Sequence, residues 1–289
     1  MTTAIATITD KVRNAFDFTI DRFPLSGPDN MKTSVYGLFR SDNQEHVGKV
    51  VSKDYVPHTT DDVLTLVDAA SEAFDGTQSV DCFFKHGHHV SVSPSADYRR
   101  EIYGQSDNVF PRIVLKGSYN GRGFSAHMGY YRDLCQNLAM LSQVEGASVS
   151  IRHSSNLRSR MDELVQTFGV LKESWASLTD VIQHLQSREV RMAEFMDQVY
   201  GSPEDDASKK KVTTHKNRTK DIWNRLNAER FRSGRPVMDG DRVSAWEAFN
   251  AVQGYVQHKK QGDIFARAMV ASGDAHVKRA ESLVMALTV

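Results

Sequence analysis

"PRIVLKGSYNGRGFSAHMGY", Pro111 to Tyr130, decides the fold. Asn120-Gly121 separates two period-two runs, and both central residues of a type I′ turn need positive φ, which Asn and Gly tolerate. A two-residue loop then fixes the register: Tyr119 opposes Arg122, Gly117 opposes Phe124, Leu115 opposes Ala126 and Ile113 opposes Met128. Because side chains alternate across a sheet, one face gathers Ile113, Leu115, Ala126 and Met128 and reads as core. The other gathers Arg112, Lys116, Ser125 and His127. Tyr119, Arg122 and Phe124 lie near the turn on the apolar side.

Moving upstream, "HVGKVVSKDYV" reads as a strand, "DDVLTLVDAASEAF" as an amphipathic helix, and "SVDCFFKHGHHVSVSP" as two strands about a Gly-containing turn. Downstream, "YRDLCQNLAML" reads as a helix carrying Cys135. Leu157, Met161, Leu164, Phe168, Leu171, Trp175, Leu178, Ile182 and Leu185 then alternate spacings of four and three, and the phase resumes after Glu189 at Met192, Met196 and Val199. That heptad pattern predicts one helix from about Ser155 to Tyr200, about 65–70 Å long. Such a seam needs a cover along its length, either the C-terminal helices or a second copy of the chain, and a homo-oligomer is the expectation. "GSPEDDASKKKVTTHKNRTK", residues 201–220, reads as an exposed basic linker. Helical segments follow at "KDIWNRLNAERF", "DRVSAWEAFNAVQGYVQHKK" and "GDAHVKRAESLVMAL". The expected fold class is α+β: an antiparallel β-rich domain over 1–146, then a long helix, the linker and a closing helical bundle over 147–289.

Composition is that of a foldable globular chain, with 289 residues, 40% hydrophobic and 25% charged. Two cysteines, Cys82 and Cys135, are too few for a disulfide framework. No apolar stretch reaches the roughly 20 residues of a membrane span, and the N-terminus lacks the order of a signal peptide. A membrane partner is not expected, and a cytosolic location is. A formal net charge of zero hides an uneven distribution. Residues 1–84 carry 7 Lys+Arg against 13 Asp+Glu, residues 85–132 carry 7 against 3, and residues 208–235 carry 10 against 2. Local charge governs contact with a polyanion.

Catalytic patterns are missing: no phosphate loop, no His-Glu-x-x-His and no Cys-x-x-Cys. Cys82, His86, His88 and His89 are zinc-compatible donors, but their spacing fits no common site, and the histidines read as solvent-facing turn residues. Cys135 reads as a small buried side chain, Asp61 and Asp62 as a helix start, and Glu204, Asp205 and Asp206 as a solvated loop. The expectation is a protein that is not an enzyme, with no catalytic or metal site and no cofactor.

The basic and aromatic residues fit single-stranded nucleic acid better. Phosphates take Lys and Arg, and unstacked bases take flat rings. Arg112, Lys116, Arg122 and His127 supply polar contacts on the hairpin, and Tyr119 and Phe124 supply rings. Arg99 and Arg100 lie between Tyr98 and Tyr103. Lys209, Lys210, Lys211, Lys216, Arg218 and Lys220 form a second tract suited to non-specific phosphate contact. The plain alternatives are a solvated basic surface and rings packed as core, Phe124 against Gly117 above all.

Several segments resemble, in order and spacing, a phage- and plasmid-related family known only as a domain of unknown function. The matching positions are Val47 to Val50 with Tyr55, Arg132 with Cys135 and Asn137, and Asn250 to Val252 with His258. Within that family the likeness is to single-stranded-DNA-binding cofactors of phage RNA polymerase from lytic podoviruses. The resemblance implies a DNA-binding transcription protein in the cytoplasm of an infected bacterium, with single-stranded DNA and a phage RNA polymerase as partners, on a fold unlike the usual five-stranded OB barrel. It carries over no set of contact residues. The alternatives are a strand-annealing recombination accessory and a protein that captures a host factor through the long helix.

Overall fold

The computed structural model describes residues 7–104, 106–119, 123–141, 143–151, 157–204, 208–237 and 240–288, with the backbone alone for 157–161. The centre of the expected turn, Asn120 to Arg122, lies outside the described residues, as do Leu157 and Met161 as side chains.

In chain order the elements are α1 (Ile8–Ala15), β1 (Ile20–Ser26), β2 (Lys32–Arg40), β3 (His46–Val51), α2 (Thr60–Ala73), β4 (Thr77–Phe84) and β5 (Gly87–Pro94). Then come β6 (Arg100–Glu101), β7 (Asn108–Ser118), β8 (Phe124–Arg132), β9 (Asn137–Ala139), β10 (Ser148–Ser150), α3 (Leu157–Gln166) and α4 (Phe168–Ser187). The chain closes with β11 (Glu189–Arg191), α5 (Met192–Tyr200), α6 (Lys209–Arg232), β12 (Arg242–Ser244), α7 (Ala245–His258), α8 (Ile264–Ser272) and α9 (Ala275–Met285). The fold is α+β, and the described strands form antiparallel sheets that do not close into a barrel.

Two compact units are present, and they interleave along the chain where the sequence suggested a single cut near residue 146. One comprises the chain to Asp97 with Arg112–Met128 and Gly146–Ser174; the other comprises Tyr98–Pro111, Gly129–Glu145 and Trp175–Val289. The reason is that the hairpin strands β7 and β8 are long, so each contributes residues to both.

In the first unit, β1, β2 and β3 form a sheet, and the larger sheet runs in the order β10-β8-β7-β5-β4. The period-two residues Val90, Val92, Ile113, Leu115, Ala126 and Met128 are buried as expected. Helix α2 starts at a capping box, Thr59 accepting from the Asp62 amide and Asp62 accepting from the Thr59 amide, which satisfies two first-turn donors. Its Val63, Leu66, Val67 and Ala70 are buried.

Gly48 fixes how β3 meets the end of the hairpin. Its φ is +70, and an added Cβ would overlap the Tyr119 carbonyl, 2.6 Å from the carbonyl carbon. The Lys49 amide donates to that same carbonyl at 3.1 Å. Gly48→Ala therefore combines left-handed backbone strain with a clash and is expected to cost about 2 kcal/mol or more, read as a lowered urea midpoint with an unchanged slope.

The expected single helix is three, and the boundary between the units falls within the second of them. Helix α3 ends before Thr167, α4 ends at Ser187, and Glu189, Val190 and Arg191 pair antiparallel with Ser244, Val243 and Arg242. The heptad phase survived because β11 occupies the seven-residue step from Leu185 to Met192. Leu164, Phe168, Leu171, Trp175, Leu178, Ile182, Leu185, Met192, Met196 and Val199 are all buried within the one chain. An uncovered seam thus gives no reason for a second subunit, nor a free surface for a host factor. "YRDLCQNLAML" is also corrected: it finishes β8, turns, and forms β9, with Cys135 buried in the turn. Asn137 and Leu138 are held there by α7, through Asn137 Nδ2 to Asn250 O at 3.0 Å and Leu138 N to Gln257 Oε1 at 3.2 Å.

Candidate nucleic-acid interface

Two sets of expected contact residues lie on different units. On the first, Tyr119 is 0% exposed and Phe124 1% exposed. The His58 ring stacks on Tyr119 at 4.2 Å and 5°, and the Tyr119 hydroxyl donates to His58 O at 2.8 Å. A Cβ at Gly117 would come within 2.6 Å of both the Phe124 ring and His58 Nε2, so that glycine makes room for two rings. Tyr119 and Phe124, expected among the contact residues, are core, and for Phe124 this is the packing against Gly117 that was its plain alternative.

His127 is corrected too. Both ring nitrogens are engaged by hydroxyls, Nε2 by Ser125 and Nδ1 by Ser148, each at 2.9 Å. Burial, helped by the Lys116 charge, pushes its pKa down to about 4, so it is neutral near pH 7. His89, opposite Lys116 in register, is lowered to about 4 by the same two causes. Arg112 and Lys116 are half-buried, and Arg122 lies outside the described residues. His88, expected in solvent, is buried on β5.

On the second unit Arg99 and Arg100 are exposed; Arg99 lies 3.8 Å from Glu101, and Arg100 donates to Arg99 O. The expected linker is mostly helix. Ser208 caps α6, accepting from the Lys211 amide at 3.4 Å, and the helix runs to Arg232. Three lysines in its first turn, with no acidic residue there, oppose the positive end of the helix dipole. That local conflict is what made the segment read as a loop, although Lys and Arg are good helix formers.

The helix sorts the tract. Lys209, Lys216, Lys220 and Phe231 follow one another at steps of 7, 4 and 11 positions, which on a 3.6-residue turn return to within about 40° of one direction. The buried Ile222, Leu226 and Glu229 lie on the other side. Lys209, Lys216 and Lys220 are exposed. The ion pairs of α6 among the described residues involve His215, Asp221, Arg225, Glu229 and Arg230, none of these lysines. Lys210 and Lys211 are exposed at other angles, and Arg218 is turned away, its guanidinium 4.3 Å from the Tyr200 ring centre.

Phe231 is the residue that sequence reasoning missed. It is 76% exposed at the end of this stripe, about 33 Å from Lys209 along the axis, and the half-buried Trp223 flanks the same face. Its phase opposite Ile222 and Leu226 was the available signal.

Of the positions shared with the phage- and plasmid-related family, Val47 to Val50 and Tyr55 lie in the first unit, and Arg132, Cys135, Asn137, Asn250 and His258 converge inside the second. Arg132 donates through Nε and Nη2 to the two Asp107 oxygens at 2.8 and 2.6 Å, and through Nη1 to Glu229 at 2.9 Å. Cys135 O accepts from Arg225 Nη2 at 3.2 Å and lies 3.1 Å from His258 Nε2, while Asn137 binds Asn250. Burial, with the charges of Arg225, Arg267 and Arg232, holds His258 near pKa 4. These residues knit β8, β9, α6 and α7 together. A family model described as DUF932, a domain of unknown function, matches residues 47–284. The chain belongs to the DUF932 family. In this DUF932 protein the match takes in β3, the hairpin, α6 and α7, and its description names no activity. No match was found among curated proteins or solved structures. Among the described residues of the DUF932 chain, no helix is long and apolar enough to cross a membrane, and no three His, Cys, Asp or Glu converge as metal ligands.

Proposed function

We propose that this DUF932 protein binds single-stranded DNA without sequence preference and without catalysis, using the outer stripe of α6. The observation that carries the reading is the alignment of Lys209, Lys216 and Lys220 with the exposed Phe231 on one helix face. Lysines without carboxylate partners neutralise phosphates, and a ring in solvent stacks on a base. A phosphate beside the first turn of α6 would also relieve its uncompensated dipole. Duplex DNA hides its base faces and leaves Phe231 nothing to stack on. The resemblance to Drc, the single-stranded-DNA-binding RNA polymerase cofactor of enquatrovirus-type podophages, extends the proposal to transcription by a phage polymerase in an infected bacterium.

Matched single- and double-stranded oligonucleotides titrated over a salt series test it. The expected result is tighter binding to single strands, with log K falling against log salt at a slope of about −2 or steeper, since each phosphate contact contributes roughly −0.7. Equal affinity for both forms, or indifference to salt, removes the reading. Phe231→Ala is expected to weaken single-strand binding by about 1–3 kcal/mol and to leave the salt slope unchanged. A steeper or flatter slope in that variant would mean that the ring acts through the lysines.

A further inference from the structure

The first unit holds a pocket of about 640 Å³, within the usual range for small-molecule sites. Its walls include the rings of Phe16, Phe18, His58 and His88, and Thr19 and Ser41 add hydroxyls. At the mouth lie Arg13, Asp17 and Asp61, beside the first residues of α2.

His88 is the unusual member. It is 2% exposed, and its ring meets Phe16 edge-on at 4.5 Å. Its Nδ1 lies 2.9 Å from His58 Nε2, which fixes the ring from the inside. Its Nε2 has no hydrogen-bond partner among the described residues. A buried polar atom left so is destabilising and calls for a partner from outside. Burial, then the charges of His89 and Arg40, depress the ring's pKa to about 3, so the buried, unpartnered nitrogen belongs to a neutral imidazole.

The charges at the mouth argue against an anion. Arg13 is already paired with Asp61 at 2.8 Å, and Asp17 adds a further carboxylate. Four aromatic walls, one neutral hydrogen-bonding nitrogen and an acidic rim suit an uncharged, flat heterocycle with polar atoms on its edge. We infer that this pocket binds such a ring, of nucleoside size, with His88 Nε2 bonded to its edge. The site is independent of the α6 stripe.

The test is titration of the full chain with adenosine and with thymidine, with ribose as control, following the imidazole nitrogen resonances. Saturable binding below millimolar is expected, with the shift concentrated at His88 Nε2 and little change at His127, whose nitrogens are already bonded. His88→Phe should weaken binding at least about tenfold; if that variant does not fold, the wild-type titration decides alone. The 5′-monophosphates should bind no more tightly than the nucleosides, and Lys209→Glu/Lys216→Glu/Lys220→Glu should bind nucleosides as well as the native chain. No saturable shift, a shift shared equally with His127, or a preference for the phosphates would overturn the inference.

Discussion

Arg132→Met is expected to destabilise the protein by about 3–5 kcal/mol and to lower its melting midpoint by on the order of 10 °C. Arg132, Asp107 and Glu229 are all buried, and the guanidinium supplies both Asp107 oxygens and one Glu229 oxygen. Methionine fills much of the same volume but leaves Asp107 without its bidentate donor and Glu229 with Arg225 alone, 3.1 Å away. An uncompensated buried carboxylate is the costly product, more than the lost attraction. Replacing Asp107 and Glu229 as well by apolar residues should cost less than Arg132→Met by itself. Thermal unfolding of the single and the triple variant measures both effects; an equal loss in the two would mean that packing, not charge, is what Arg132 contributes.

That network also marks the limit of what could be read in advance. Arg132, Cys135 and Asn137 were visible as a motif, yet their partners are Asp107, Glu229 and Asn250, up to 113 positions away, and one chain gives no pairing between such distant residues. The strands were legible because Val90, Val92, Ile113 and Leu115 repeat every second residue, and α2 because Asp61 and Asp62 open an amphipathic run. For Phe124 the register at least offered packing against Gly117 as the alternative, but the burial of Tyr119 was not legible, because what encloses it is His58 and the backbone at Gly48, which period-two patterning in the hairpin does not report. In α6 the obstacle ran the other way. A run of lysines at a helix N-terminus violates the usual charge preference, so propensity and electrostatics disagreed, and only the folded helix shows that Lys209, Lys216, Lys220 and Phe231 share a face.

Reversing that face tests the disagreement directly. Lys209→Glu, Lys216→Glu and Lys220→Glu together should weaken single-stranded DNA binding by on the order of a hundredfold at low salt and flatten the salt slope by about 2. Folding should be nearly untouched: the three side chains are exposed, and acidic residues in the first turn suit the helix dipole, so the melting midpoint should stay level or rise slightly. The same substitutions at Lys210, Lys211 and Arg218 are the matched control. They remove the same amount of charge from the same helix, but from other angles, and Arg218 already rests on Tyr200. If a bulk basic field attracted the strand, both triples would weaken binding alike. If a defined stripe leading to Phe231 holds it, the first triple should weaken binding far more than the second. Adding Phe231→Ala to the first triple should then cost less than it does in the native chain, because a strand no longer aligned by its phosphates does not present a base to the ring.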